Sequence, residues 1–519
     1  MRRFFFIDNV ETASSTLTSG ELPMFLAQSL LALAILLYAI RRNFIRDYRL
    51  ISLLGLIFFA FSLFPSLNVP YIIDDVDHFH NMARAIQTHM VPAWLMAPHN
   101  EHVIPLLKAI YLFCYTYFWL NPMMFHLIII AVCIGIILLV YRLIFALTRS
   151  VSAALIGGSI MAATNLFDGA MFIITNSHIL FSLFLFLLLF YAIYRYCTNN
   201  SPVWRLTAFF AVLLLPSTFA LGLTSIFFAI IFIDLCLPTK LQHNSKKLFP
   251  LLTTAWVLSL IPYFGAMGAI IHADHYKDLG ARSIFQIADF LTPVPFLVDQ
   301  VTEKLIPFII ANPYLAFGLF FVSFFVAIDR AKETAWKQIL FFVFFGLSNN
   351  FIIYVFRGAW GPAYLDFPRY YVFPAAMLAF CYPLMLRPLL ETRPRIKGMP
   401  TALLVSLLCF LTVTYGSLRR HANAELTVKE TLLMQNFYVN FRKAFVNYFH
   451  THEVKGSLRV KNINIQLPPS LARYAKRSAQ FYAQYILPAE INNRIVWTDQ
   501  TDPAFLEYLK AKEYFFLID

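Results

Sequence analysis

The feature that most constrains the fold of this chain is the repetition of long apolar runs. Several runs reach the length of about 17–25 residues that a helix needs to cross the hydrocarbon core of a bilayer. Hydrophobic residues make up 59% of the 519 residues and charged residues only 13%, which excludes a soluble globular protein. The alternating pattern of a membrane β-barrel is not seen. The sequence therefore predicts an all-α polytopic membrane protein.

The apolar runs predict about twelve transmembrane helices. The candidate spans are residues 22–40, 50–66, 123–145, 150–166, 178–196, 206–219, 221–237, 248–271, 306–328, 337–356, 371–388 and 400–416. The run 206–237 is too long for one helix and contains Pro216 and Gly222 near its middle. It is therefore divided into two short helices with a tight turn, which we expect to lie near the first long loop.

The Lys and Arg residues concentrate in alternate connectors between these spans. The basic connectors are residues 41–49, 142–149, 195–205, 240–247, 330–337 and 387–397. The positive-inside rule places all of them in the cytoplasm, so the net charge of +13 reports membrane topology and not nucleic-acid binding. The loops 67–122, 167–177, 272–305 and 357–370, together with the C-terminus, are then predicted to face the opposite side.

The apolar stretch 104–120 is predicted to lie at the membrane interface, because counting it as a span would invert every later loop. It carries Lys108 and several aromatic residues, which suits a helix at the headgroup level.

The chain is predicted to have two domains, a membrane domain over residues 1–417 and a small soluble α/β domain over residues 418–519. Residues 421–449 have helical periodicity, and the run Leu458–Leu467 alternates like a strand. Pro503–Leu517 is predicted to form a short amphipathic helix.

The first long loop, 67–122, begins with the acidic run Asp74-Asp75-Val76-Asp77. A carboxylate cluster next to a membrane is costly and indicates a functional site. If residues 74–88 form a helix, Asp74, Asp77 and His78 share one face and Asp75 lies on another. One acid could then act as a general base while another orients a substrate. The alternative is that Asp74 or Asp75 only caps the helix.

A second polar cluster in the same loop is His99-Asn100-Glu101-His102. This cluster offers nitrogen and oxygen ligands, His99 among them, and with Asp77, His78 or His80 it could ligate Zn²⁺ or another divalent ion. The alternative is a hydrogen-bonding scaffold in which Glu101 and His102 contact an acceptor or a donor. The sequence makes no cofactor certain and leaves the metal ion open.

Arg357, Arg369 and Tyr370 lie in the last outer loop. An Arg side chain is suited to a multidentate grip on phosphate, and a neighbouring Tyr can donate a hydrogen bond or stack on a sugar ring. These residues are therefore candidates for binding a phosphate-linked substrate. The alternative is an aromatic and arginine anchor at the membrane interface.

This layout resembles the GT-C superfamily of integral-membrane glycosyltransferases. The resemblance rests on Asp74-Asp75 after an early span, on Arg369-Tyr370 in a late outer loop, and on about a dozen spans with a soluble C-terminal tail. It implies that Asp74 or Asp75 is the catalytic base and that Arg369 with Arg357 binds the phosphate of a polyprenyl-phosphate-linked sugar. It also implies a bacterial inner membrane, with the active site and the C-terminus on the periplasmic side.

The chain departs from the superfamily in having one span before the segment that leads into the acidic loop, and no motif fixes the sugar, the acceptor or the oligomeric state. Two other functions fit the sequence. A transporter or flippase of a lipid-linked or anionic substrate would use intramembrane acids and arginines. A surface-polysaccharide polymerase or ligase would also take a lipid-linked sugar.

Overall fold

The computed structural model describes part of the chain. The described residues are 48–68, 74–98, 103–118, 122–164, 167, 177–264, 333–357, 372–392, 395–396, 399–452, 454, 456–462, 483, 487 and 489–512. They form a mainly helical structure with a few short strands. The predicted spans 22–40 and 306–328 lie outside the described residues.

The helices of the first half correspond closely to the apolar runs. In chain order they are α1 Tyr48–Leu63, α2 Asp74–Gln87, α3 Val91–Met96, α4 Pro105–Phe118, α5 Pro122–Thr148, α6 Val151–Ala163, α7 His178–Asn199, α8 Pro202–Leu214, α9 Ser225–Cys236, α10 Thr239–Ser245 and α11 Phe249–Ser259. Short 3₁₀ helices at Phe64–Asn68 and Ala220–Thr224 follow α1 and precede α9.

The second half contains α12 Glu333–Arg357, α13 Val372–Thr392, β1 Arg395–Ile396, β2 Met399–Pro400, α14 Thr401–Thr451, β3 Leu458–Lys461, α15 Ala489–Asn492, β4 Ile495–Thr498 and α16 Pro503–Ala511. Strands β1 and β2 pair antiparallel, and β3 and β4 pair parallel. The predicted span 400–416 and the predicted helix 421–449 form one continuous helix, α14.

Among the described residues, two helices are long and apolar enough to cross a membrane, Met123–Thr148 and His178–Asn199. A third span is present if Thr239–Ser245 and Phe249–Phe264, which meet at a bend of 55°, are counted together. Six further apolar helices are shorter, at Arg49–Leu63, Val151–Ala163, Pro202–Leu214, Ala220–Cys236, Val372–Arg387 and Ala402–Thr414. The structure thus confirms a helical protein with membrane-capable helices, whereas the number of twelve stays a prediction.

The chain divides into two compact units. The first comprises Met1–Leu67 and Met90–Ala422, and the second comprises Asn68–His89 and Asn423–Asp519. The acidic helix α2 is therefore grouped with the C-terminal part of the chain, and α3–α13 are grouped with α1.

Phenylalanine side chains pack the centre of the first unit. Phe190 meets Phe341 with ring centroids 5.2 Å apart, and Phe186 meets Phe345 at 5.3 Å. Because the residue numbers rise on α7 as they fall on α12, these two helices run antiparallel. Close packing of aromatic rings in edge-to-face geometry stabilises such a helix pair beyond the area that it buries.

A buried arginine joins three segments of the first unit. Arg420 is 1% exposed, and its guanidinium donates to the Ser62 hydroxyl at 3.1 Å and to the carbonyls of Ala162 and Thr164 at 2.9 and 2.5 Å. The same group lies 4.8 Å from the centre of the Phe59 ring. Arg420 thus connects α14 to α1 and to the end of α6.

The second unit has its own core, in which the C-terminal part of α14 packs on the parallel β3–β4 pair and on α16. Its buried residues include Phe441, Phe445, Tyr448, Phe505 and Leu509. The predicted strand at Leu458–Leu467 is confirmed over Leu458–Lys461, and the predicted helix at Pro503–Leu517 over Pro503–Ala511.

Candidate functional site

The acidic run forms the beginning of helix α2. The helix predicted for residues 74–88 is confirmed over Asp74–Gln87, and it supplies the i, i+3, i+4 spacing on which the prediction for Asp74, Asp77 and His78 depends. His78 is 3% exposed, and Met82 and Ala85 are also buried, whereas Arg84 is exposed. Helix α2 is thus amphipathic, and His78 belongs to its buried face.

Most of the other predicted site residues lie beyond what the structure describes. The side chains of Asp74, Asp75, Asp77, His80 and Arg357 lie outside the described residues, and Arg357 is known only as the last residue of α12. His99, Glu101, His102, Arg369 and Tyr370 lie outside the described residues entirely. Their meeting in one site therefore stays a prediction.

Apart from His78, the side chains of the proposed metal ligands also lie outside the described residues. The described residues contain no group of three or more His, Cys, Asp or Glu side chains suited to a metal ion. The metal candidates Asp77, His80 and His99 have no described side chains. A metal site at these residues therefore stays a prediction.

Lys108 on α4 is a buried cation in the first long loop. Its side chain is 2% exposed, and the Nζ atom donates hydrogen bonds to the carbonyl oxygens of Trp94 at 2.8 Å and Ala97 at 2.6 Å. The Nζ atom also lies 5.4 Å from the centre of the Trp94 ring, within the range of a cation–π interaction. Desolvation by burial lowers the pKa of Lys108 from 10.5 to about 8.

These contacts fix one end of the segment that holds the second polar cluster. Lys108 holds the carbonyl of Ala97, just before this segment, and the Tyr263 hydroxyl lies 3.5 Å from the carbonyl of Val103, just after it. Val103 and Tyr263 also pack together with Leu223 as a small buried cluster. Ala97 and Val103, the described residues on either side of the predicted ligands at 99–102, are therefore both held by contacts with other parts of the chain.

The turn between α8 and α9 supports the same region. Tyr263 donates a hydrogen bond from its hydroxyl to the Pro216 carbonyl at 2.8 Å, and the Leu106 amide donates to the Ser217 carbonyl at 3.3 Å. The indole N–H of Trp256 donates to the Leu223 carbonyl at 2.8 Å. The prediction of two short helices joined by a tight turn next to the first long loop is therefore confirmed.

Gly222 is required for this turn to close. A Cβ atom at this position would lie 2.2 Å from the carbonyl carbon of Leu215 and 2.4 Å from the nitrogen of Pro216. These atoms are backbone and cannot move aside as a flexible side chain could. The close approach explains why the run 206–237 carries Gly and Pro near its middle.

Sequence reasoning did not identify Lys108 and Tyr263 as residues that shape this region. The sequence predicts that Lys108 lies on an interfacial helix, and the structure adds that its side chain is buried against Trp94. The signal that could have identified it is a lone lysine among the apolar residues of α4, since such a charge needs buried partners. No sequence signal marks Tyr263, whose partners are backbone carbonyls distant in the chain.

Comparisons with known proteins do not add a family. No protein-family model matches the chain, and no curated protein matches it.

Proposed function

We propose that the protein is a glycosyltransferase that moves a sugar from a polyprenyl-phosphate-linked donor to an extracytoplasmic acceptor, such as a glycolipid, a polysaccharide or a protein. The observation that carries the proposal is helix α2, which begins with Asp74 and Asp75 and follows the apolar helix α1 in the chain. A carboxylate that follows an apolar helix in the chain can serve lipid-linked chemistry at the membrane face.

In this reaction, Asp74 or Asp75 accepts the proton of an acceptor hydroxyl. The acceptor oxygen then forms a bond to the anomeric carbon of the sugar, and the bond from that carbon to the phosphate oxygen breaks. The polyprenyl phosphate leaves with the electron pair of that bond. Arg369 and Arg357 stabilise the charge on the leaving phosphate, as preorganised cations do in phosphate chemistry.

The described residues that flank 99–102 in the chain support this assignment. Glu101 and His102 need defined positions to contact a sugar or an acceptor, and Lys108 and Tyr263 hold the carbonyls of Ala97 and Val103 on either side. Asp77 and His78 are proposed to contact substrate from α2, and Tyr370 from the last outer loop. A divalent ion on Asp77, His80 or His99 is the alternative means of stabilising the leaving phosphate.

The proposed setting is a bacterial inner membrane, with the site and the C-terminus on the periplasmic side. The bilayer supplies the polyprenyl-phosphate donor by lateral diffusion, so no soluble nucleotide sugar is needed there. The basic connectors are the basis for this orientation.

A transporter is the second candidate, because α12 carries buried polar residues in its apolar length. Asn349 and Asn350 are both fully buried, and Gln338 is 3% exposed. Buried polar residues in a spanning helix often mark a substrate or ion pathway. The same preparation of protein therefore has to be tested for both activities.

The test of the transferase uses the full-length protein in nanodiscs, with a panel of radiolabelled undecaprenyl-phosphate hexoses and pentoses. The measured quantity is sugar release or transfer to an envelope extract. We expect at least one of Asp74→Asn and Asp75→Asn to reduce turnover by about 100-fold or more, because general bases contribute rate factors of this order. The matched control is Asp234→Asn, an exposed aspartate on α9 that is expected to leave turnover unchanged.

Full turnover in both Asp variants would overturn the assigned base. Absence of transfer from every donor, together with ion-driven uptake of a polyprenyl-phosphate sugar into proteoliposomes, would favour the transporter.

A further inference from the structure

The short helix α10 lies across the C-terminal ends of α7 and α9. The side-chain amide of Gln242 donates hydrogen bonds to the carbonyls of Asp234 and Leu237, both at 3.0 Å. The amide of Asn244 donates to the Cys197 carbonyl at 2.9 Å. Cys197 and Asp234 belong to the last turns of α7 and α9, where carbonyls have no partner within their own helix. The side chains of α10 supply these partners, so α10 caps both helices.

Aromatic and basic side chains mark this end of α7 as the level of the membrane interface. The guanidinium carbon of Arg195 lies 5.4 Å from the centre of the Trp204 ring and 5.9 Å from that of Tyr191. Arg149 donates a hydrogen bond to the Tyr194 hydroxyl at 3.0 Å. Tyr, Trp and Arg side chains at the end of a helix long enough to cross a membrane are typical of headgroup depth. Helix α10 caps the same end of α7 and therefore lies at this depth.

Helix α10 has one face against the protein and one that is exposed. Ser245 is buried and Leu241 is half-buried, and the apolar helix that follows turns away at a bend of 55°. The exposed basic residues of α10 and of the two positions after it are Lys240, His243, Lys246 and Lys247. Residues 195–250 contain five Lys and Arg side chains and a single acid, Asp234. The exposed face of α10 is thus strongly basic.

We propose that this basic face, formed by Lys240, Lys246 and Lys247, binds the headgroups of anionic phospholipids. Anionic headgroups are present at the depth of α10, and clustered lysines at a membrane surface attract them within about 8–10 Å, the Debye length at physiological salt. The bound headgroups hold α10 over the ends of α7 and α9. The lysines belong to a connector predicted to be cytoplasmic, so this site is separate from that of the sugar donor on the opposite side.

The reactivity of the lysines makes the contact measurable. The full-length protein is acetylated with an uncharged amine-reactive ester, in nanodiscs of phosphatidylcholine alone and in nanodiscs that also contain phosphatidylglycerol. Neither lipid carries a primary amine, and peptide mass spectrometry reports each lysine separately. We expect phosphatidylglycerol to slow acetylation of Lys246 by about threefold or more, because the headgroup holds the ammonium protonated and covered. Lys510, an exposed lysine of the second unit, is expected to react equally in both.

Two double variants test whether the basic face acts as a unit. Lys240→Gln, Lys247→Gln leaves Lys246 in place and is expected to remove most of its protection, because one lysine attracts anionic lipid far less than three. The matched control is Lys510→Gln, Lys512→Gln, which removes the same charge from exposed positions of α16 and directly after it. This control is expected to leave the protection of Lys246 unchanged.

Equal rates in both lipids would overturn the proposal, as would protection that persists in Lys240→Gln, Lys247→Gln. Protection that is unchanged in about 1 M salt, where the Debye length is about 3 Å, would also contradict binding by charge. Slow acetylation of Lys246 in every lipid and in detergent would show that another segment of this chain covers the face. None of these outcomes depends on sugar transfer.

Discussion

The ammonium of Lys108 donates a hydrogen bond of 2.8 Å to the carbonyl oxygen of Trp94 and lies 5.4 Å from the centre of the same residue's ring. A single residue thus supplies both a dipole and a π face to a buried cation. The arrangement offsets part of the cost of burying the charge, yet burial still lowers the pKa of Lys108 to about 8.

This pKa predicts how stability depends on pH. Between about pH 8 and 10.5, Lys108 is neutral in the folded protein but protonated in the unfolded chain. The unfolded state then binds more protons, so stability rises with pH in this window by up to about 3 kcal/mol. The Lys108→Met variant lacks this contribution. We expect the wild type to gain apparent melting temperature relative to the variant from pH 8 to 10, and parallel pH profiles would contradict this.

The burial of Lys108 also shows where sequence reasoning ends. The helix α4 was predictable because its apolar and aromatic residues continue for several turns, and α2 was predictable from the polar run that follows α1. Burial of Lys108 depends on hydrogen bonds to the carbonyls of Trp94 and Ala97, which come close to its side chain only in the folded structure. Composition and periodicity carry no information about such tertiary contacts.

The continuous helix α14 illustrates the same limit in another way. The prediction ended a span at residue 416 because charged residues become frequent there. Charge frequency reports whether lipid or water surrounds a helix, whereas the helix itself is held by backbone hydrogen bonds that both environments permit. The helix therefore continues to Thr451. Apart from His78, the site residues of the two outer loops stay predictions because their side chains lie outside the described residues.

We predict that the buried guanidinium of Arg420 contributes strongly to the stability of the first unit. Arg420→Met removes the donors to Ser62, Ala162 and Thr164, and we expect it to lower the free energy of unfolding by about 2–4 kcal/mol. Arg420→Lys is expected to be nearly as harmful, because an ammonium cannot present the planar guanidinium fork to three acceptors. Unfolding by sodium dodecyl sulfate measures both effects.

The control for Arg420 is Arg442→Met on the same helix, because Arg442 is exposed. This change is expected to alter stability by less than about 0.5 kcal/mol. A loss in the control as large as that in Arg420→Met would mean that the effect comes from the helix and not from the buried guanidinium.

Gly222→Ala is predicted to disrupt the turn between α8 and α9. Its Cβ would lie 2.2 Å from the carbonyl carbon of Leu215, so the backbone has to move, at a cost of about 2 kcal/mol or more. Gly55→Ala is the control, since its Cβ would meet its nearest atom, on Phe410, at 3.7 Å. Gly55 lies within α1, where alanine is the better helix former. Melting temperatures that fall equally in both variants would contradict the steric explanation.

The pairing of α7 with α12 places a buried serine, Ser182, next in the series after two pairs of phenylalanines. The pairs Phe190–Phe341 and Phe186–Phe345 are four residues apart on each helix, so the next pair in the series is Ser182 with Asn349. Ser182 is fully buried, and its hydroxyl has no hydrogen-bond partner among the described residues. A buried hydroxyl of this kind contributes a desolvation cost that no hydrogen bond offsets.

Ser182→Ala is therefore expected to leave the stability unchanged or to raise it by up to about 1 kcal/mol. The matched variant is Ser62→Ala, in which another buried serine loses the hydroxyl that accepts from Arg420, and it is expected to cost about 1–3 kcal/mol. Unfolding by sodium dodecyl sulfate separates the two, because helix propensity and lost volume are the same in both. A loss above about 1 kcal/mol in Ser182→Ala would show that this hydroxyl forms a hydrogen bond in the folded protein.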